Sequence, residues 1–157
     1  MNYFQHERLT ERGIAHDAID AIFREASIAL DEEGKCQQEW LDCAAGKFPL
    51  ALSDWINDKL VERKIVLFAD NVPSKFREFQ RLGIPKKDHK WVTLSIASQS
   101  RALVTEDIDL IEPRQKSAPA KVKSRIKSTC KGTVSRCLRR DYGVNVVCCE
   151  HVPDLCG

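Results

Sequence analysis

The side chains best placed to do chemistry are three aspartates from two stretches, Asp88 and the close pair Asp107 and Asp109. Arg101-Ala-Leu-Val-Thr105 is a short apolar run that reads as a buried strand, so Asp107 and Asp109 fall just past its carboxyl end, where sites form in open parallel sheets. Asp88 opens a helix expected to run to about residue 100 and to lead into that strand, and it reaches the same cleft only if the fold brings that helix start to that edge. Gathered carboxylates with water ligands suit hard Mg²⁺ or Mn²⁺ ions. Such ions turn water into a nucleophile and offset charge at a phosphodiester. The chain has no Walker-type glycine loop, no G-x-G-x-x-G and no HExxH, so nucleotide and zinc-protease chemistry lack their residues.

Each of these residues also has an ordinary role. Asp88 suits a helix N-cap, and capping is compatible with metal binding. Asp107 and Asp109 suit an Asx turn after a strand, and Thr105 suits an ordinary strand position. Glu39 lies three and four residues from Cys36 and Cys43 on one helical face, beside Trp40; its ordinary reading is a surface charge, yet that face is mostly apolar. Cys148, Cys149, His151 and Cys156 invite a zinc reading, but no C-x-x-C pair occurs and neighbouring strand residues point to opposite faces. Trp40, Trp55 and Trp91 are most simply core residues. His6, His16 and His89 have no partner recognisable in the sequence.

The elements that must position these groups alternate. Apolar spacing predicts an amphipathic helix over residues 13–26, a short strand over 27–31, and a helix over 52–62 capped by Ser53 with Leu52, Trp55, Ile56 and Leu60 inward. Lys64-Ile-Val-Leu-Phe-Ala69 reads as a strand buried on both faces. A short helix over 74–82 ends at Gly83, and residues 144–149 form a final strand. Strand and helix in alternation predict an α/β fold with a mostly parallel sheet between helices. No internal repeat or low-complexity segment interrupts it.

Composition sets the frame. The 157 residues, 43% hydrophobic and 31% charged, suit one globular domain over residues 1–157 with one core. No apolar run approaches the roughly 20 residues needed to cross a bilayer, and the start lacks a signal core, so a cytoplasmic protein without a membrane partner is expected. The seven cysteines are odd in number, and Cys36, Cys43, Cys137 and Cys148 sit in apolar patterns, as buried reduced thiols do. A net charge of +2 is uninformative beside its distribution. Residues 114–140 hold ten lysines and arginines, among them Lys116, Lys121, Lys123, Arg125 and Lys127, and no acidic residue. An anionic partner such as nucleic acid would suit that segment, and a solvated helix face is the plain alternative.

Leu82-Gly-Ile-Pro-Lys-Lys-Asp88, the helix after it, and Leu103-Val-Thr-Glu-Asp-Ile-Asp109 resemble the second half of a PIN domain. Ile28-Ala-Leu-Asp-Glu-Glu-Gly34 with Gln38-Glu39-Trp40 resembles the strand and glutamate-bearing helix of bacterial PIN-like proteins. The resemblance spans most of residues 14–112; order and spacing carry it, since no single motif is highly specific. It implies a three-layer α/β/α sandwich and a metal-dependent endoribonuclease, with Glu39, Asp88 and Asp107 as acidic metal positions, Asp109 as a further ligand and Thr105 positioning the loop. Many such proteins are the toxin of a toxin–antitoxin pair, so RNA and an antitoxin protein are the implied partners, with Lys121, Lys123, Arg125 and Lys127 expected on the RNA backbone. The chain departs from the family pattern in one respect: PIN domains open on a central strand ending in aspartate, whereas this sequence opens on the first helix. Asp17 and Asp20 lie within that helix. Either that strand lies upstream of Met1, or this is a shortened member expected to expose sheet edges, which association into a homo-oligomer would cover. The alternative expectation is an inactive PIN-like module that binds nucleic acid or protein.

Overall fold

The structure, a computed structural model, describes residues 9–44, 49–69, 76–99 and 102–156. The chain divides into two compact units, Met1–Ala69 with Glu150–Gly157, and Asp70–Cys149. Both are mixed α/β with short parallel strands.

In the first unit the chain runs through α1 (Leu9–Glu25), β1 (Ile28–Asp31), α2 (Lys35–Ala44), α3 (Pro49–Val61) and β2 (Ile65–Phe68), and returns as α9 (Val152–Cys156), which packs on α1. Helix α1 begins a turn earlier than its apolar spacing predicts, with Ala18 and Ala21 buried. The start of α3 is Pro49, where a missing N–H costs nothing, so Ser53 lies inside the helix rather than capping it. Strands β1 and β2 pair in parallel from Ile28↔Ile65 to Asp31↔Phe68. The expectation of a strand buried on both faces fails for β2: among the described residues its sheet has two strands, and Val66 and Leu67 are 45% and 56% exposed. Trp40 and Trp55 meet at 6.2 Å between ring centres and pack with Leu41 and Ile65 around Ile56, the core role expected of them.

Asp31 joins β1 to α2. Its carboxylate accepts the N–H groups of Lys35 at 2.7 Å and Cys36 at 2.8 Å, two helix donors with no partner inside the helix. Burial pushes this carboxyl up, but the Cys36 and Lys35 N–H groups outweigh burial and hold it below the ordinary value. Asp31→Ala is therefore expected to cost about 2 kcal/mol in urea unfolding at neutral pH, since bonds to a charged acceptor are the strong kind. The folded pKa is depressed, so the stabilisation is complete above about pH 3.8 and is lost as pH falls through the lower folded value. Wild type and variant should converge in stability at the acid end of a pH series.

The second unit contains α4 (Phe76–Leu82), α5 (His89–Ala97), β3 (Ala102–Val104), α6 (Ile108–Ile111), α7 (Ala120–Thr129), α8 (Thr133–Tyr142) and β4 (Asn145–Val147). Strands β3 and β4 pair in parallel from Ala102↔Asn145 to Val104↔Val147, and the Thr105 N–H continues the ladder to the Val147 carbonyl at 2.9 Å. Val104 is 37% exposed, so this strand too is less buried than its apolar run predicts. Among the described residues the strands form two separate two-stranded sheets rather than one central sheet. Phe79, Val92, Ile111, Val134, Leu138 and Val144 form the centre of the core, with Trp91 packed against it.

Cys36 and Cys137 are buried free thiols, as expected. Cys148 departs from that expectation by forming a disulfide with Cys130. Cys130 closes α7 in the left-handed region, which brings its Cα to 6.1 Å from that of Cys148, inside the range a disulfide spans. The bridge pins the end of α7 to the residue after β4. It also removes Cys148 as a zinc ligand.

Candidate functional site

Just past β3, a short turn arranges the acids. Thr105 Oγ1 accepts the Asp107 N–H at 3.0 Å, and Asp107 Oδ1 accepts the Asp109 N–H at 2.9 Å. Asp107 is thus the N-cap of α6, which places Asp109 in the first turn with its side chain only 5% exposed. The Asx-turn reading of Asp107 holds, and Thr105 positions the loop through a bond its sequence neighbours could not show.

Asp88 arrives from the other direction. Gly83, in the left-handed region at φ 86°, ends α4, and the short turn Lys86–Asp88 leads into α5. Asp88 occupies the N-cap position of α5 but its side chain makes no capping bond, so the ordinary reading of this residue does not describe its side chain. Its neighbour His89 is buried, with its Nε2 3.0 Å from the Ile84 carbonyl oxygen and its ring edge-on to Phe79. This anchors the start of α5 and leaves Asp88, 4% exposed, at the turn.

The fold brings the start of α5 close to the turn after β3, a condition that the spacing of these residues left open. One carboxylate oxygen from each of Asp88, Asp107 and Asp109 lies within 4.8 Å of the others. Octahedral ligands about 2.1 Å from Mg²⁺ stand about 3 Å apart when adjacent and about 4.2 Å when opposite, so the carboxylates would draw together on binding or reach the ion in part through water. Asp109 supplies the further observation. Its Oδ1 is buried and has no hydrogen-bond partner, a costly state for a carboxylate oxygen and one that a hard cation relieves. The donor set is all oxygen, which suits Mg²⁺ or Mn²⁺ better than zinc.

Two lysines border the acids. Lys116 Nζ donates to Asp109 Oδ2 at 2.5 Å, and Lys87 Nζ is 3.9 Å from Asp88 Oδ1. The bond to Asp109 and its charge, aided by Asp107 and Asp88, hold the Lys116 amine above the ordinary lysine value. Both lysine side chains remain largely in water.

Glu39 stands on α2 in the first unit, half-buried, whereas the aspartate cluster is built entirely by the second. In the basic segment, Lys121 and Arg125 are exposed while Lys123 and Lys127 are half-buried. These form two pairs at i, i+4 spacing on α7, on either side of Val122 and Ile126, and Ile126 packs on the core. The α7 cations therefore flank a stripe that is anchored at Ile126 and exposed at Val122.

Glu78, Cys137 and Asp141 form a second group with metal-binding atoms close together. Glu78 Oε2 already accepts from Tyr142 Oη at 2.8 Å, and Arg140 holds both oxygens of Asp141 at 2.6 and 2.7 Å. Burial, then the Asp141 carboxylate, pushes the Cys137 thiol up to about 11, so it stays protonated. That group is a satisfied polar network. Cys149 is similarly inert, pushed up to about 12 by burial and by Glu106, whose Oε1 also accepts the Cys149 N–H at 2.8 Å.

Sequence reasoning missed Lys116 and Glu112. Lys116 was hidden among ten like charges. Glu112 Oε2 accepts from Thr133 N at 2.7 Å and Thr133 Oγ1 at 2.5 Å, binding the end of α6 to the start of α8. A carboxylate at a helix amino terminus is favoured by the helix dipole, but the 21-residue separation gives no local signal. Among the described residues no helix is long and apolar enough to cross a membrane. In comparisons with protein-family models, curated proteins and solved structures, nothing matches this chain.

Proposed function

We propose that this chain is a Mg²⁺- or Mn²⁺-dependent endoribonuclease of the PIN-like kind. The observation that carries the reading is the convergence of Asp88, Asp107 and Asp109, with the buried Asp109 Oδ1 lacking a hydrogen-bond partner. A divalent ion held there would supply charge for a phosphodiester oxygen and lower the pKa of an attacking water. Asp107 and Asp109 orient their carboxylates through the Thr105 and Asp107 turn bonds, and Asp88 adds a third from the start of α5. The α7 cations would bind the RNA backbone. The proposal includes a cytoplasmic setting and the toxin role with its antitoxin partner. Association into homo-oligomers belongs to the same reading.

A second reading is an inactive module that binds nucleic acid or protein. The contact of Lys116 with Asp109 favours it, because the acids already hold a positive charge. Labelled single-stranded RNA incubated with Mn²⁺ or with EDTA separates the two. The nuclease reading expects cleavage only with Mn²⁺; binding without cleavage by folded protein would favour the module.

Both readings use α7. Replacing Lys121, Lys123, Arg125 and Lys127 together by Ala keeps good helix formers, and should reduce the slope of log affinity against log salt by about 3 for single-stranded RNA. Fluorescence anisotropy across a salt series measures this. An unchanged slope would remove α7 from the RNA interface.

A further inference from the structure

The side chain of Lys116 crosses from a 63% exposed position to a carboxylate that is 5% exposed, and its Nζ sits 2.5 Å from Asp109 Oδ2. Lys116 lies on the connection between the turn Pro113–Gln115 and α7, and its carbonyl accepts from Lys123 Nζ at 3.3 Å. The lysine therefore belongs to the connection that leads into the basic helix, while its ammonium lies among the acids. Asp109 is thereby half-satisfied: one oxygen holds the ammonium and the other is buried with no hydrogen-bond partner.

We propose that Lys116 is a built-in competitor for the cation position, its ammonium resting on Asp109 until a divalent ion displaces it into water. The inference rests on the reading of Asp88, Asp107 and Asp109 as a metal centre. An ammonium supplies one positive charge and satisfies one Asp109 oxygen, whereas a divalent ion supplies two and can draw on all three carboxylates. Leaving costs the lysine little, because most of its side chain is already solvated. A tethered competitor lowers apparent affinity by the fraction of time that it occupies the position. Metal loading is then governed by a side chain that shares its connection with the proposed RNA-binding helix.

Mn²⁺ binding measured by electron paramagnetic resonance tests this without an activity assay. Lys116→Met and Lys116→Gln keep much of the stem and remove the charge, and either is expected to bind Mn²⁺ about fivefold more tightly than wild type, the scale for losing a modest ion pair. Lys87→Met is the control for net charge. It removes a lysine beside Asp88 that stands farther from its carboxylate, at 3.9 Å, and should change affinity by less than about twofold. Equal affinity of wild type and both Lys116 variants would overturn the competitor role while leaving the metal centre standing. Equal tightening by Lys87→Met and Lys116→Met would also overturn it, reducing the effect to overall charge. Absence of Mn²⁺ binding in all four proteins would overturn both this inference and the metal-centre reading.

Discussion

Asp107→Asn is expected to lower Mn²⁺-dependent RNA cleavage by about 100-fold or more in kcat while leaving the fold in place, because charge stabilisation by a held ion is worth several kcal/mol. The substitution separates chemistry from structure. Asp107 Oδ1 caps α6 by accepting the Asp109 N–H, and an asparagine oxygen accepts the same bond, since Asn and Asp are comparable N-caps. What Asn removes is the negative charge. Single-turnover cleavage of labelled RNA, with circular dichroism on the same preparation, measures both halves. A variant that cuts within about threefold of wild type would remove Asp107 from the site.

Gly132→Ala is expected to destabilise the second unit by about 3 kcal/mol or more, at the upper end for overpacking. The backbone at Gly132 is extended, so φ is not the obstacle. Space is: a Cβ would fall 2.1 Å from the Ile111 carbonyl oxygen and 2.7 Å from Glu112 Cβ. The carbonyl is backbone at the end of α6 and cannot swing aside as a flexible side chain would. Relief would require α6 and the start of α8 to separate, straining the Glu112 bonds to Thr133 and shifting the helix that carries Asp109. Denaturant unfolding should show the midpoint fall without a compensating change in slope. A loss under about 0.5 kcal/mol would mean that α6 and α8 are loosely packed at this point.

The acids were legible in the sequence because their positions follow from local rules. Asp107 and Asp109 come just after an apolar run, Asp88 comes at a helix start, and both placements survive in the structure. What local rules could not convey was how the neighbours use them. Capping was the ordinary reading for Asp88, yet Asp107 is the residue that caps. Lys116 resembled every other cation of its segment until α6 and the following turn brought it onto Asp109. Apolar runs marked β2 and β3 correctly, but a run reports how greasy a strand is and not how many strands flank it. Among the described residues each of these strands has one partner, and Val66, Leu67 and Val104 are exposed. Cys148 had the pattern of a buried thiol and is buried, but its partner lies 18 residues away at a helix end whose left-handed geometry no spacing rule foretells. The parallel pairings agree with the alternation of strand and helix, while the division into two short sheets depends on contacts far apart in the chain.

Anomalous diffraction from crystals of the metal-soaked protein, grown without chelator and exposed to millimolar Mn²⁺, tests directly whether the three aspartates hold a divalent ion. A metal centre is expected to give an anomalous peak between Asp88, Asp107 and Asp109, about 2.1 to 2.3 Å from a carboxylate oxygen of at least two of them, with Lys116 Nζ moved off Asp109. Well-ordered carboxylates with Lys116 still on Asp109 and no peak among them would contradict it, and the cluster would then be a polar feature of the fold rather than a metal centre.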